Sequence, residues 1–155
     1  MVANGTMSKG GRKPLYSLDA SPVHLLHRAH QRAADVTAQA LRAYGLTPRQ
    51  YAVLLALKMD TAVAQSDLVR RTGIDRSTLA DMLNRMGKRG LTVSKRTEAD
   101  QRANLVTITE KGSRALEAVE PKVIDAEQRM LESLPSSIRD NFVSGLQVLA
   151  EQVRR

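Results

Sequence analysis

Residues 65–112 read QSDLVRRTGIDRSTLADMLNRMGKRGLTVSKRTEADQRANLVTITEKG, and within them the hydrophobic period changes from helical to extended. Gln65 to Thr72 is a short helix that turns Leu68 and Val69 inward, although Ala64 is a weak cap for its start. Gly73 ends it, Ile74 plugs the turn with an apolar side chain, and Asp75 caps a second helix from Arg76 to Arg89. The inward set of that helix is Leu79, Met82, Leu83 and Met86, and Gly90 terminates it. Leu91 and Val93 then alternate with Thr92 and Ser94, as a strand requires. After a polar tip from Lys95 to Ala103, Asn104 to Ile108 returns as a second strand with Val106 and Ile108 on one face. The tip lacks a tight Asn-Gly turn, so the pair is expected to project as a hairpin.

Short helix, turn, amphipathic helix and charged hairpin form the layout of a winged helix-turn-helix. A DNA major groove admits one helix, and a second helix crossing the backbone holds it at an angle. The outward face of the second helix carries Arg76, Ser77, Thr78, Asp81, Asn84, Arg85 and Lys88, with Ala80 among them. Arg76 can reach guanine with two hydrogen bonds, Asn84 can reach adenine, and Ser77 and Thr78 suit phosphates. Asp81 has two readings: it can accept from cytosine, or it can pair with Arg85 four residues on. The hairpin carries Lys95, Arg96 and Arg102, with Glu98 and Asp100 between them. A narrow minor groove attracts an inserted arginine, and Arg102 is the candidate, with Asp100 orienting its guanidinium. The competing reading is an ordinary solvated hairpin whose surface ion pair contributes little.

Outward from this stretch the chain reads as helices. Residues 1–20 form a Gly-containing arm whose charges before Asp19 are Lys9, Arg12 and Lys13. Ser21 and Pro22 open a long helix with an apolar stripe of Leu26, Ala29, Ala33, Val36, Ala40 and Tyr44, stopped by Gly45. Thr47, Pro48 and Gln50 form a capping box for the next helix, and its almost wholly apolar run from Tyr51 to Met59 predicts burial. Asp60 to Ala64 reads as a connection. Thr109 caps a helix to about Leu134, in which Pro121 predicts a kink or local break. The last helix, about Ser136 to Arg154, carries Ile138, Phe142, Leu146, Leu149 and Val153. The expected fold class is mainly α with a small β-hairpin wing.

Composition narrows the function. The net charge is +8 with no cysteine, which excludes disulfides and thiolate metal sites and fits the cytoplasm. Residues 1–64 contribute +5, residues 65–108 contribute +4 and residues 109–155 contribute −1. The basic two-thirds suits a polyanion such as double-stranded DNA. No apolar run approaches the roughly 20 residues of a membrane span, and the N-terminus lacks the apolar segment of a secretory signal. No nucleophile–base pair, Gly-rich phosphate loop or metal quartet stands out, so neither an enzyme nor a cofactor is expected. His24, His27 and His30 lie on one helix, but each is turned about 300° from the last, so three imidazoles cannot converge on one ion. Helix-surface or pocket-lining histidines are the expectation, with no metal.

The stretch Leu68 to Leu116 resembles the MarR family, named for multiple-antibiotic-resistance regulators. The matching residues are Gly73-Ile74-Asp75-Arg76-Ser77-Thr78, Lys88-Arg89-Gly90-Leu91, Asp100-Gln101-Arg102 and Thr107-Ile108-Thr109-Glu110-Lys111-Gly112. Gln101 stands where the family's wing usually has a second arginine. The resemblance implies a transcriptional regulator with its first and last helices interleaved in a homodimer. Wide apolar faces on a 155-residue chain support the same assembly. Residues 21–155 would then be one MarR-type domain, with the winged helix-turn-helix at about 47–109 and dimerisation helices at about 21–45 and 110–155. A two-fold dimer predicts a palindromic operator with half-sites about 34 Å apart. The segments Leu25–Arg32 and Leu46–Tyr51 resemble the subgroup that responds to aromatic acids or aromatic acyl-CoA thioesters. His27, Arg28, Gln31, Arg32, Arg49 and Tyr51 are the implied effector residues. Arg28, Arg32 and Arg49, with Lys9, Arg12 and Lys13, can meet the phosphates of CoA; the same cations also suit long-range DNA attraction. The leading expectation is a repressor released by such a ligand, and the alternative is a constitutive or architectural DNA binder.

Overall fold

The computed structural model describes residues 17–96 and 104–152. The chain divides into two compact units, residues 1–32 and 33–155. Helix α1, Pro22–Arg42, begins in the first and ends in the second.

In the first unit a single 3-10 turn, Leu18–Ala20, precedes α1. Ser21 starts the helix as expected, its Oγ accepting from the His24 N–H at 3.4 Å. Val23, Leu25 and Leu26 are exposed there.

The second unit holds the core. Its first element is the end of α1, which closes through a left-handed glycine. Gly45 has φ +61°, its N–H donates to the Arg42 carbonyl at 3.1 Å, and the Leu46 N–H donates to the Leu41 carbonyl at 3.4 Å. This crossed pair is a Schellman motif, and it brings Leu41 and Leu46, both buried, together. The apolar stripe read from the sequence faces inward here: Ala33, Val36, Ala40 and Tyr44 are half-buried, Ala40 and Tyr44 against the core, and Leu41, which the stripe left out, is the fully buried residue of α1.

Helix α2, Pro48–Lys58, starts on the full capping box: Gln50 N–H donates to Thr47 Oγ1 at 3.2 Å, and Thr47 N–H donates to Gln50 Oε1 at 3.1 Å. It buries Tyr51, Val53, Leu54 and Leu57. Leu55 and Met59 stay exposed, contrary to the expectation that the whole run is covered. The residues that follow contain a strand the sequence did not suggest, β1 at Val63–Ala64. It pairs antiparallel with β3, Asn104–Ile108, which also pairs with β2, Thr92–Arg96, giving the order β1-β3-β2.

The strand faces also differ from expectation. Leu91 precedes β2 and serves as the last residue of a helix cap, so the alternation starts at Thr92. Thr92 pairs with Ile108, and Ser94 with Val106; directly opposed residues share a face. Thr92 is buried and Val93 is exposed, the reverse of the sequence reading.

Helices α3, Gln65–Thr72, and α4, Arg76–Lys88, fall where the sequence placed them. Helix α5, Glu110–Glu132, runs through Pro121 without a break, and α6 spans Ser136–Gln152. One apolar cluster joins Val53, Leu54 and Leu57 of α2, Leu68 of α3, Leu79, Leu83 and Met86 of α4, Val106 of β3, and Leu116, Val119 and Val123 of α5. Each such side chain contributes about 1.5–3 kcal/mol when fully buried. Three polar ties brace the helices. Lys58 Nζ meets Glu120 Oε2 at 2.7 Å, Arg71 Nη1 meets Asp60 Oδ2 at 2.5 Å, and the same Arg71 nitrogen donates to the Ala56 carbonyl at 3.3 Å.

Candidate nucleic-acid interface

The turn between α3 and α4 is built from local bonds. Gly73 takes a left-handed conformation, φ +67°, and its N–H donates to the Val69 carbonyl at 2.9 Å. Thr72 Oγ1 donates to the Leu68 carbonyl at 2.6 Å and accepts from the Ile74 N–H at 3.4 Å. Ile74 is buried, as a plug must be. Asp75 then caps α4, accepting from the Thr78 N–H at 2.9 Å and from Ser77 Oγ at 2.7 Å. Hydrogen bonds from the Thr78 side chain and N–H, with a further one from Ser77, hold the Asp75 carboxyl well below the usual carboxylate range.

With Leu79, Met82, Leu83 and Met86 buried, the other side of α4 faces outward. Arg76, Ser77, Asp81, Asn84, Arg85 and Lys88 are exposed and Thr78 is half-buried. Of the two readings of Asp81, the ion pair is formed: Arg85 Nη2 lies 2.8 Å from Asp81 Oδ2. Ser77 is engaged with Asp75. On β2, Lys95 is exposed, and Arg96 pairs through its backbone with Asn104. Asp100 and Arg102 lie outside the described residues.

The end of α4 is held by parts of the chain remote in sequence. Gly90, φ +72°, closes a second Schellman motif: its N–H donates to the Gly87 carbonyl at 2.8 Å and the Leu91 N–H to the Met86 carbonyl at 2.9 Å. Thr109, the cap of α5, donates its hydroxyl to the Gly90 carbonyl at 2.6 Å and its N–H to the Leu91 carbonyl at 3.1 Å. Gly112 permits this approach, since a Cβ there would stand 2.2 Å from the Leu91 carbonyl oxygen. No local pattern announced these contacts; only the glycine in the first turn of a helix hinted at a close neighbour.

The expected effector residues fall in both units. In the first, His27, Arg28, Gln31 and Arg32 are exposed along α1. In the second, Arg49 is exposed at the start of α2 and Tyr51 is buried. Burial pushes the Tyr51 phenol above its ordinary value, and the Glu120 and Glu127 carboxylates push it further, so it remains a protonated donor. Burial likewise raises the Glu127 carboxyl. Among the described residues no cluster of three or more His, Asp and Glu could hold a metal ion, and no helix is long and apolar enough to cross a membrane.

A buried-faced helix presented by a preceding helix and turn, with an antiparallel strand pair behind it, defines a winged helix-turn-helix protein. The MarR family pattern matches residues 44–103. The transcriptional regulator HosA of Escherichia coli O157:H7 is 33% identical over 98 residues, 63% of this chain and 73% of HosA. Among solved structures, Bordetella bronchiseptica BpsR, studied for regulation of its DNA binding by 6-hydroxynicotinic acid, superimposes with a TM-score of 0.82 at 30% identity, covering 88% of this chain and 98% of BpsR. The repressor CouR bound to a 23-mer DNA duplex gives 0.80 at 28% identity, covering 90% and 99%. CouR from Rhodococcus jostii RHA1 bound to p-coumaroyl-CoA gives 0.77 at 26%, covering 86% and 94%. The chain belongs to the MarR family of transcriptional regulators.

Proposed function

We propose that this chain is a homodimeric, sequence-specific DNA-binding repressor of the cytoplasm, released from a palindromic operator by a small aromatic acid or its CoA thioester. The observation that carries the reading is α4, whose apolar side is buried while Arg76, Asn84 and Lys88 face outward at the end of a helix-turn-helix. Arg76 reads guanine, Asn84 reads adenine and Lys88 meets a phosphate, while Ser77 and Thr78, whose hydroxyls bond Asp75 in the free protein, turn them to phosphates on DNA. Arg85 stays paired with Asp81 and lends charge to the same face. Lys95, Arg96 and Arg102 of the wing serve the flanking minor groove, Asp100 steadying Arg102. The exposed apolar residues of α6, and those of the first half of α1, are covered by the second copy.

The effector class is supported by the ligands of BpsR and CouR and by the residues of this chain. Tyr51 keeps its proton and can donate to a ligand oxygen. Arg28 and Arg32 in the first unit, and separately Arg49 in the second, are cations of the kind that CoA phosphates need. Because equal affinity for both states shifts nothing, the effector must bind the DNA-incompetent arrangement more tightly. A mobility-shift titration on DNA from upstream of the chain's own gene tests this, with an aromatic acid and its CoA ester added in turn. Release by either supports the reading, and an Arg28→Ala, Arg32→Ala variant should then need more CoA ester but not more free acid. Binding that no aromatic ligand alters would favour a constitutive DNA binder.

A further inference from the structure

The two ends of α4 are secured differently. The N-terminal end is capped from within its own turn by Asp75. The C-terminal end is gripped by Arg89, whose backbone N–H, carbonyl and Nη1 each bond a different element. Its N–H continues the helix, donating to the Arg85 carbonyl at 3.2 Å. Its carbonyl accepts from Lys111 Nζ of α5 at 2.8 Å. Its Nη1 donates to Gln50 Oε1 at 3.4 Å, the same oxygen that accepts from the Thr47 N–H in the capping box of α2. Its Nη2 lies 3.4 Å from where a Cβ on Gly45 would stand, over the turn that leads out of α1. One exposed residue thus bonds the start of α2 and the start of α5 and reaches over the turn that follows α1.

We infer that Arg89 is a positioning residue for DNA recognition: through Gln50 it sets the angle of α4, without itself touching DNA. The inference rests on the DNA-binding reading above. The magnitudes favour it. A helix of 13 residues is about 20 Å long, so a 10° swing about its C-terminal end moves Arg76 by about 3 Å. That exceeds the tolerance of a hydrogen bond to a base edge. The bond between exposed Arg89 and Gln50 contributes little to stability by itself, so its loss should appear in recognition before it appears in folding.

The test is a double-mutant cycle on full-length protein, with a duplex that the wild type selects from a random-sequence pool and a scrambled duplex as control. Arg89→Ala and Gln50→Ala should each weaken the selected duplex about tenfold, and the double variant should be no weaker than either alone. The scrambled duplex should change little, and the melting temperature should hold for Arg89→Ala and fall slightly for Gln50→Ala, which also opens the capping box of α2. Gln50→Glu keeps an acceptor for both Thr47 and Arg89 and should bind as wild type does. A wild-type-like Gln50→Ala, with Arg89→Ala flattening the salt slope by about one phosphate, would make Arg89 a DNA contact and overturn the inference. Losses of affinity that track losses of melting temperature would overturn it too, by reducing Arg89 to a fold contact. A wild type that selects no duplex would instead overturn the DNA-binding reading, and this inference with it.

Discussion

Helices α4 and α6 are both amphipathic, yet they finish differently. Helix α4 buries Leu79, Met82, Leu83 and Met86 against its own chain. Helix α6 has no buried residue among those described, and Leu146, Val148 and Leu149 remain 39%, 57% and 51% exposed. The same periodicity therefore means closure in one case and an unfilled contact in the other. The difference is in what each helix meets. Helix α4 packs against α3 and β2, whereas α6 follows the break at Leu134-Pro135 with its apolar residues exposed. On the proposed reading, a helix that recognises DNA must be fixed by its own fold, while a helix that dimerises stays open until a partner arrives.

The largest effect should come from charging α6. Leu146→Asp with Leu149→Asp is expected to convert the dimer to a monomer in sedimentation equilibrium, with the circular dichroism of the winged lobe retained. Operator affinity should fall by orders of magnitude, because a monomer addresses one half-site. A variant that stays dimeric would remove α6 from the interface and leave its exposed stripe unexplained.

The next effect probes the closed side. Gly112→Ala places a methyl group against the Leu91 carbonyl oxygen and Ile108, and something must shift. Overpacking of this kind costs about 3 kcal/mol, read as a lower denaturation midpoint, while the proposed assembly through α6 should be unaffected. Gly145→Ala in α6, where nothing lies within 4 Å in the single chain, should leave the monomer's stability unharmed.

The smallest effect belongs to the cap of α4. The Asp75 carboxyl is held below its ordinary value, so its contribution is complete above the unfolded value of about 4 and fades as pH falls through the folded one. Asp75→Asn should therefore melt slightly below wild type at neutral pH, and the gap should close in acid. A gap independent of pH would mean that the carboxylate charge adds nothing to the cap.

What could be read from the sequence was whatever is written in neighbouring residues. Thr47 with Gln50, Gly73 with Asp75, and Gly90 each announce a helix end because the bonds they make stay within five positions. The outward face of α4 followed from the buried one. Three features resisted. Strand β1 is only Val63 and Ala64, and exists through pairing with Val106 and Leu105, more than forty residues away. Thr92 is buried and Val93 exposed because Leu91 belongs to the preceding cap, which shifts the strand's phase by one residue. Arg89 was legible only as the end of the second helix, since its partners Gln50 and Lys111 lie far off in both directions along the chain. The wing tip, with Asp100 and Arg102, lies outside the described residues, and its role stands on the sequence pattern.

The central claim is that two copies of α4 read adjacent major grooves of one palindromic operator. Hydroxyl-radical footprinting of the wild type on DNA upstream of its own gene tests it most directly. The account predicts two protected patches related by a dyad, their centres about 34 Å apart, with affinity falling roughly 10³–10⁵-fold between 50 and 200 mM salt. A single asymmetric patch, uniform protection without sequence preference, or binding indifferent to salt would contradict it.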